Sequence, residues 1–186
     1  MEEKLKEIFG YVNSWLSHAE AKNGAIVVLN GACIMGIATL LLGKDNNINN
    51  LLRIYLIVTL VILLLSTGIS LISFFPMTSK FEDKGDNDNQ NSIFLFYGDI
   101  AKCKNSRQYV LSIYKNYFND STKRQDDITR LEDDYAKEII YNSVVTVRKY
   151  NCFKISLILT VCAFISPLIF VLGYITIKLY KVINKI

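Results

Sequence analysis

The sequence predicts an all-α integral membrane protein, and the distribution of charged residues is the main observation behind this class. Three long stretches contain no Lys, Arg, Asp or Glu; they lie between Lys22 and Lys44, Arg53 and Lys80, and Lys154 and Lys178. Each exceeds the roughly 20 residues that a helix needs to cross a bilayer core of about 30 Å. A soluble helix of that length would show a polar face, whereas the middle stretch consists mainly of Ile, Leu and Val with uncharged Ser, Thr and Gly between them. We therefore expect three transmembrane helices, with a small cytoplasmic helical insert between the second and the third.

Composition narrows the function classes. The 186 residues are 51% hydrophobic and 20% charged, which leaves room for one small polar domain beside three spans. The net charge of +4 is mild and dispersed, so we expect no DNA or RNA partner. Four cysteines form no CxxC pair and there is one His, so we expect no metal site. Because phosphate-loop, HExxH and GxSxG motifs are absent, we expect no catalytic residues and no enzyme.

Four regions follow from these patterns. We expect an amphipathic helix over residues 1–22, a transmembrane hairpin over 23–79, a cytoplasmic helical insert that senses a ligand over 80–153, and a third transmembrane helix with its tail over 154–186. Apolar residues recur at helical spacing in the first region: Leu5, Ile8, Phe9, Val12, Trp15 and Leu16. No Pro interrupts the passage into the first span, so one long helix should enter the bilayer near Asn23.

Polar residues share one face of this first helix. Glu20, Asn23 and Asn30 fall at steps of three and seven residues. Polar side chains at membrane depth normally face other helices and hydrogen-bond across the interface. The pattern fits such interhelical contacts, and it also fits the membrane-proximal floor of a ligand site or pore.

The insert is bounded by turn signals. We expect a tight turn at residues 44–50, an end of the second span near Pro76 and a flexible loop at residues 80–92. Ser106 is a plausible N-cap for a helix, and Thr122 with Gln125 fits a capping box. The short apolar cluster around residues 93–100 precedes that helix.

The last helix should run without a break from the insert into the third span, because no Pro or Gly occurs between Asp120 and Pro167. We expect Pro167 to kink it. Its insert portion shows an apolar stripe at Ile128, Leu131, Tyr135, Ile139, Asn142 and Val145. The exposed face should carry the ion pairs Asp126–Arg130 and Asp133–Lys137, and the acidic run at residues 132–134 should be solvated.

A ligand site is expected where the insert meets the membrane. Aromatic rings there can stack a base, Arg or Lys can bind a phosphate, and Asp, Glu or Asn can bind base edges. Juxtamembrane aromatics and lysines also simply anchor helices at the interface. The candidate ligand-binding residues are Trp15, Glu20, Lys22, Asn23, Phe96, Tyr97, Asp99, Arg148, Lys149 and Tyr150.

Three motifs occur in order along the chain. They are W-x-x-x-A-E-x-K-N over residues 15–23 before Asn30-Gly31, FxFYGDIAK over residues 94–102, and V-R-K-Y over residues 147–150 before the last span. Together they resemble the Pycsar-type transmembrane effectors of bacterial anti-phage defence, over nearly the whole chain. The resemblance implies an effector that senses a cyclic nucleotide from a partner cyclase, disrupts the inner membrane and causes abortive infection.

On this interpretation the cyclic nucleotide is an activating ligand and no cofactor is needed. We expect a homo-oligomer in the lipid bilayer of the bacterial inner membrane, with the insert facing the cytoplasm; the flanking Lys and Arg residues favour this orientation. One alternative is a membrane-anchored protein-docking module without nucleotide gating. A second alternative, a small-solute transporter component, predicts repeats and broken helices that the sequence does not show.

Overall fold

The computed structural model describes residues 1–43, 49–76 and 94–183, beyond Ser166 mainly as helical backbone. Within these residues the chain is all-helical and has no strand, which confirms the predicted class. The α-helices are α1 (Glu2–Leu42), α2 (Asn50–Ile72), α3 (Tyr97–Ile100), α4 (Ser106–Tyr117) and α5 (Arg130–Ile183), with a 3₁₀ helix at Gln125–Asp127. Most of the expected turn at residues 44–50, and the whole loop at 80–92, lie outside the described residues.

Three helices are long and apolar enough to cross a membrane. They are α1, α2 and the Arg130–Ser166 part of α5, so the prediction of three helices able to span a bilayer is confirmed. Helix α1 is one element of 41 residues, and α5 is one element of 54 residues that continues past Pro167. The lack of Pro and Gly between Asp120 and Pro167 predicted that α5 passes unbroken from the insert into the third span. The chain is a membrane protein.

The described residues group into two compact units. The insert unit comprises Met1–Ala21 and Phe74–Asn151, and the membrane unit comprises Lys22–Ser73 and Cys152–Ile186. Helices α1 and α5 each contribute residues to both units.

The insert unit has a conventional apolar core. The stripe predicted on α1 is confirmed, because Leu5, Ile8 and Val12 are fully buried while Phe9 and Trp15 pack against them. The segment before α3, helices α3 to α5 and the α3–α4 connection supply the other buried members: Phe94, Ile100, Cys103, Tyr109, Val110, Ile113, Ala136, Ile139 and Ile140. Burial of these side chains is the main source of the unit's stability.

Two helix starts differ from the sequence prediction. The N-cap of α4 is Asn105, whose side chain accepts the Gln108 N–H at 3.0 Å, and Ser106 is the first helical residue. The expected capping box at Thr122 does not form, since Thr122 donates instead to Asp120. A capping box forms instead at the start of α5. The Thr129 N–H donates to the Glu132 carboxylate at 2.9 Å, and the Glu132 N–H donates to the Thr129 hydroxyl at 3.2 Å. Glutamate is the stronger acceptor for these orphan N–H groups because it is charged.

The prediction that the acidic run at the start of α5 is solvated was wrong for Glu132 and Asp133, whereas the Asp134 side chain is 61% exposed as expected. Glu132 is 3% exposed and Asp133 is 8% exposed. The Tyr114 hydroxyl donates to Glu132 at 2.7 Å, and the Ser106 hydroxyl donates to Asp133 at 2.6 Å. Helix α4 thus covers these carboxylates and supplies their donors.

Hydrogen bonds also set the charge state of this cluster. Burial raises the pKa of Glu132, but hydrogen bonds from Thr129 and Tyr114 outweigh it, so that pKa lies below its ordinary value of 4.5. Burial likewise raises the pKa of Asp133, and bonds from Lys137 and Ser106 bring it below 3.8. Burial and the neighbouring carboxylate raise the pKa of Tyr114 to about 12. Both acids are therefore ionised, and the phenol is neutral, at physiological pH.

The ion pairs on α5 agree with the prediction in part. Lys137 pairs with Asp133 at 2.7 Å, as expected. Arg130 approaches Asp134 at 3.9 Å rather than pairing with Asp126. The apolar stripe predicted on α5 differs from the buried face of the helix at its start. Leu131 was expected in the stripe but is 48% exposed, whereas Ala136 and Ile140, which were not, are buried.

The membrane unit is held by a ring of polar side chains, one from each helix. The Asn30 amide N–H donates to the Ser66 hydroxyl at 3.0 Å, and the Thr160 hydroxyl donates to the Asn30 carbonyl at 3.1 Å. Ser66 and Thr160 close the ring at 2.9 Å, and all three residues are buried. A second contact joins the Tyr55 and Ser166 hydroxyls at 3.1 Å. The expectation that Asn30 faces other helices is confirmed, and its partners are spans of the same chain.

Candidate functional site: an aromatic cluster in the insert unit

Four aromatic rings from three parts of the chain meet in the insert unit. We call Trp15 of α1, Phe96 and Tyr97 at the start of α3, and Tyr150 of α5 the aromatic cluster. Tyr97 stacks on Tyr150 with centroids 5.3 Å apart and planes at 22°. Trp15 lies 5.2 Å from Tyr97 and 6.1 Å from Phe96. The structure thus brings together residues that are far apart in sequence.

The backbone around α3 sets the position of the Phe96 ring. Phe96 caps the helix in an extended conformation and is 44% exposed. A Cβ at Gly98 would lie 2.5 Å from the Phe96 ring, so only glycine allows this ring position. Asp99 pairs with Lys102 at 2.7 Å on the next turn. Phe96 is therefore held on a well-defined turn with part of its surface exposed to solvent.

Lys149 is occupied by contacts within the unit. Its ammonium group donates to Glu20 at 2.7 Å and lies 5.8 Å from the centre of the Phe74 ring. Lys149 is 8% exposed. This ion pair joins α1 to α5, so Glu20 and Lys149 position the two helices beside the aromatic cluster.

Of the two basic residues predicted for the site in the insert unit, Arg148 is the one that can bind an anion. It is half-buried, and within residues 1–43, 49–76 and 94–183 no carboxylate pairs with it. An unpaired guanidinium can bind a phosphate with two parallel hydrogen bonds. Lys22 and Asn23 belong to the membrane unit, where Lys22 lies 5.6 Å from the Phe153 ring centre and Asn23 is buried. Eight of the ten predicted site residues therefore fall in the insert unit, and two do not.

The Tyr97 hydroxyl of the cluster is neutral at physiological pH. Burial, and to a smaller extent Tyr150, raise the pKa of Tyr97 above its ordinary value of 10.0. Tyr97 can therefore donate a hydrogen bond at physiological pH, and its ring can stack a base. Over the described part of the chain, no group of three His, Cys, Asp or Glu residues is placed to hold a metal ion.

Sequence reasoning missed three residues that shape this region. Phe74 packs beside Lys149, and Gly98 permits the Phe96 position. Asn13 accepts a hydrogen bond from Asn142 at 2.9 Å, which ties α1 to α5 a further two turns away. The sequence did contain a signal for the Asn13–Asn142 contact. Asn13 lies seven residues before Glu20, and Asn142 lies seven residues before Lys149, and a seven-residue step keeps two residues on one helix face.

The fold and this cluster define a class: a membrane protein with three helices able to span a bilayer, whose helical insert carries clustered aromatic rings. A family model described as "PycTM: Pycsar effector protein domain" matches residues 4–177. The chain belongs to the Pycsar effector family and is an anti-phage defence effector, which confirms the resemblance in its sequence. The family is non-enzymatic and implies a cyclic-nucleotide signalling partner. No curated protein and no solved structure matches the chain.

Proposed function

We propose that a cyclic nucleotide made by a partner cyclase binds at the aromatic cluster and switches the protein to a state that disrupts the inner membrane. The observation that carries the proposal is the meeting of Trp15, Tyr97 and Tyr150, each from a different segment, next to the position of Arg148 in the sequence of α5. A base stacked on these rings contacts α1, α3 and α5 at once. Its phosphate would pair with Arg148.

Binding at this place changes how α1 packs on α5. Both helices are unbroken, and both contribute residues to the membrane unit. A ligand shifts such an equilibrium only by its differential affinity for the two packings. Moving the population from about 1% to 99% active needs roughly 5.5 kcal/mol. Stacking on aromatic rings contributes about 1–3 kcal/mol per base, and a charge-assisted phosphate contact about 1.5–3 kcal/mol.

The test is nucleotide binding to the purified full-length chain in detergent. Phe96→Ala, Tyr97→Ala and Arg148→Ala should each weaken binding by about tenfold or more, as losses near 1.4 kcal/mol imply. Arg130→Ala is a matched control, since its side chain is 96% exposed on the same helix. Gly98→Ala should also weaken binding, because it displaces the Phe96 ring without removing it.

Function is read out by reconstitution. Vesicles that contain the protein should release a trapped dye on addition of the active nucleotide, and Arg148→Ala should suppress the release. Wild-type protein that binds no cyclic nucleotide would refute the gating proposal and favour the protein-docking alternative. Unchanged affinity in Phe96→Ala, Tyr97→Ala and Arg148→Ala would place the binding site elsewhere.

Orientation and assembly belong to the same proposal. A nucleotide made in the cytoplasm must reach the insert, so a Lys102→Cys variant lacking the native cysteines should resist impermeant maleimide in intact spheroplasts. Crosslinking in membranes should show homo-oligomers, because three helices cannot enclose a water-filled path with a single buried polar ring. Labelling of the Lys102→Cys variant by the impermeant maleimide would contradict the proposed orientation. A protein that stays monomeric with and without nucleotide would contradict the proposed homo-oligomer.

A further inference from the structure

The membrane unit contains an apolar groove between its three helices. The groove has a volume of about 340 Å³. Its floor is formed by Thr59, Leu63 and Ala163, which are 7%, 2% and 2% exposed, and its rim includes Ile37, Leu56 and Phe164. The small side chain of Ala163 leaves this space open where α5 faces α2.

The two hydroxyl groups of the groove walls are already hydrogen-bonded, and the Cys33 thiol is only a weak hydrogen-bonding group. The Thr59 hydroxyl donates to the Tyr55 carbonyl at 3.1 Å, and the Tyr55 hydroxyl is bonded to Ser166. An apolar cavity of this kind does not hold water. An empty one would forfeit the dispersion contacts of its lining. The occupant must therefore be apolar.

Arg53 indicates which apolar molecule fits. It lies three residues before Leu56, so it continues the groove-lining stripe of α2 towards the start of that helix, and it is exposed. Only one turn of α2 precedes it. An acyl chain in the groove would place its headgroup at this end, where a cation attracts an anionic lipid. The three helices that border the groove are those able to cross a bilayer, so such chains surround them.

We propose that this groove binds one acyl chain of an anionic phospholipid, with the headgroup at Arg53. The site is separate from the aromatic cluster, and the proposal does not depend on nucleotide gating. The bound chain completes the packing of α1, α2 and α5.

The test is photolabelling of the full-length chain in vesicles. Phosphatidylglycerol or phosphatidylcholine carries a diazirine on its acyl chain, and the adducts are mapped by mass spectrometry. We expect adducts on Thr59 and Leu63, which a lipid reaches only by entering the groove. Ala163→Phe should lower these adducts several-fold by filling the floor. Ala32→Phe, the same change at an exposed position of α1, should leave them unchanged.

The outcomes separate the possibilities. Should Ala163→Phe fail to insert, Cys33→Phe fills the same groove from α1 and makes the same prediction. Phosphatidylglycerol should label the floor more than phosphatidylcholine does, and Arg53→Gln should remove that preference. Adducts confined to exposed residues such as Val28 overturn the site, and so do crosslinks showing that a helix of a second copy fills the groove. Equal labelling by the two lipids overturns the headgroup assignment.

Discussion

The two units of this protein differ in the side chains that they bury most completely. In the insert unit the fully buried residues include Tyr109, Ile113 and Ile139, and large apolar side chains form one continuous core. In the membrane unit Asn30 and Ser66 are fully buried, while apolar side chains such as Leu65 are exposed. The contrast follows from the solvent of each unit. Water drives apolar groups inside, whereas a bilayer leaves them exposed at no cost and drives polar groups together.

The two units also differ in whether they bury charged side chains. The buried ionisable residues, Glu132, Asp133 and Lys149, all belong to the insert unit. The buried polar residues described in the membrane unit are neutral Asn, Ser and Thr side chains. A charge costs far more than a hydroxyl in hydrocarbon, so this division is expected if only the second unit lies in the bilayer.

The largest predicted effect compares two isoleucines on α5. Ile139 is fully buried in the insert unit, and Ile158 is 53% exposed in the membrane unit. Ile139→Ala should destabilise the protein by about 2–5 kcal/mol, the usual cost of truncating a buried aliphatic side chain. Ile158→Ala should cost less than about 0.5 kcal/mol, because the position has few contacts to lose.

Unfolding in detergent micelles, followed by hydrogen exchange of peptides from each unit, measures both variants. The Ile139 change should increase exchange in insert-unit peptides first. Comparable losses from the two substitutions would contradict the assignment of different solvents to the two units.

A smaller effect is expected from the buried carboxylates. Glu132→Gln removes the charge that accepts hydrogen bonds from Tyr114 and Thr129, so it should cost about 1.5–3 kcal/mol. The wild-type pKa values of Glu132 and Asp133 lie below 4.5 and 3.8 in the folded state. Their contribution is therefore complete above those values and is lost as the pH falls through the lower folded-state values.

Measurement of the free energy of unfolding at decreasing pH tests this predicted loss of stability. Between pH 5 and pH 3 the wild type should lose stability more steeply than Glu132→Gln, since the variant has one fewer carboxylate to protonate. Asp126→Asn is the control, because Asp126 is exposed in the 3₁₀ helix. A variant as acid-sensitive as the wild type would show that Glu132 is not a source of the pH dependence.

The sequence was sufficient for features that depend on local periodicity. The stripe of Leu5, Ile8 and Val12 predicted the buried face of α1, and the lack of Pro and Gly between Asp120 and Pro167 predicted that α5 runs unbroken from the insert into the third span. Charge-free stretches predicted the spans because length and hydropathy are properties of a segment by itself. The aromatic residues of the cluster were also selected, although their role in binding a nucleotide stays a prediction.

The failures lie where a residue depends on a partner distant in sequence. Glu132 and Asp133 resembled a solvated face because Tyr114 and Ser106, which cover them, come from α4. Two segments, at residues 122–125 and 129–132, fitted the capping-box pattern, and the one with the carboxylate formed. Periodicity along one helix does not contain this information.

The smallest predicted effect concerns the polar ring of the membrane unit. Asn30→Ala and Thr160→Val each remove a group that bonds to the other at 3.1 Å. Interhelical hydrogen bonds in membranes contribute about 0.6 kcal/mol on average and at most about 1.7 kcal/mol, because the separated helices also find partners. A double-mutant cycle should give a coupling energy in this range.

The cycle matters more than either single change, since an apolar replacement can offset the lost bond by better packing. Thr39→Val is the matched control on α1, because its hydroxyl bonds only the Met35 carbonyl of its own helix at 2.9 Å. Thr39→Val should show no coupling to Thr160→Val. Zero coupling between Asn30 and Thr160 would mean that the ring adds no stability, and the buried amide would then need another reason to lie between three spans. A measured coupling would instead show that hydrogen bonds between the spans contribute to the stability of the membrane unit.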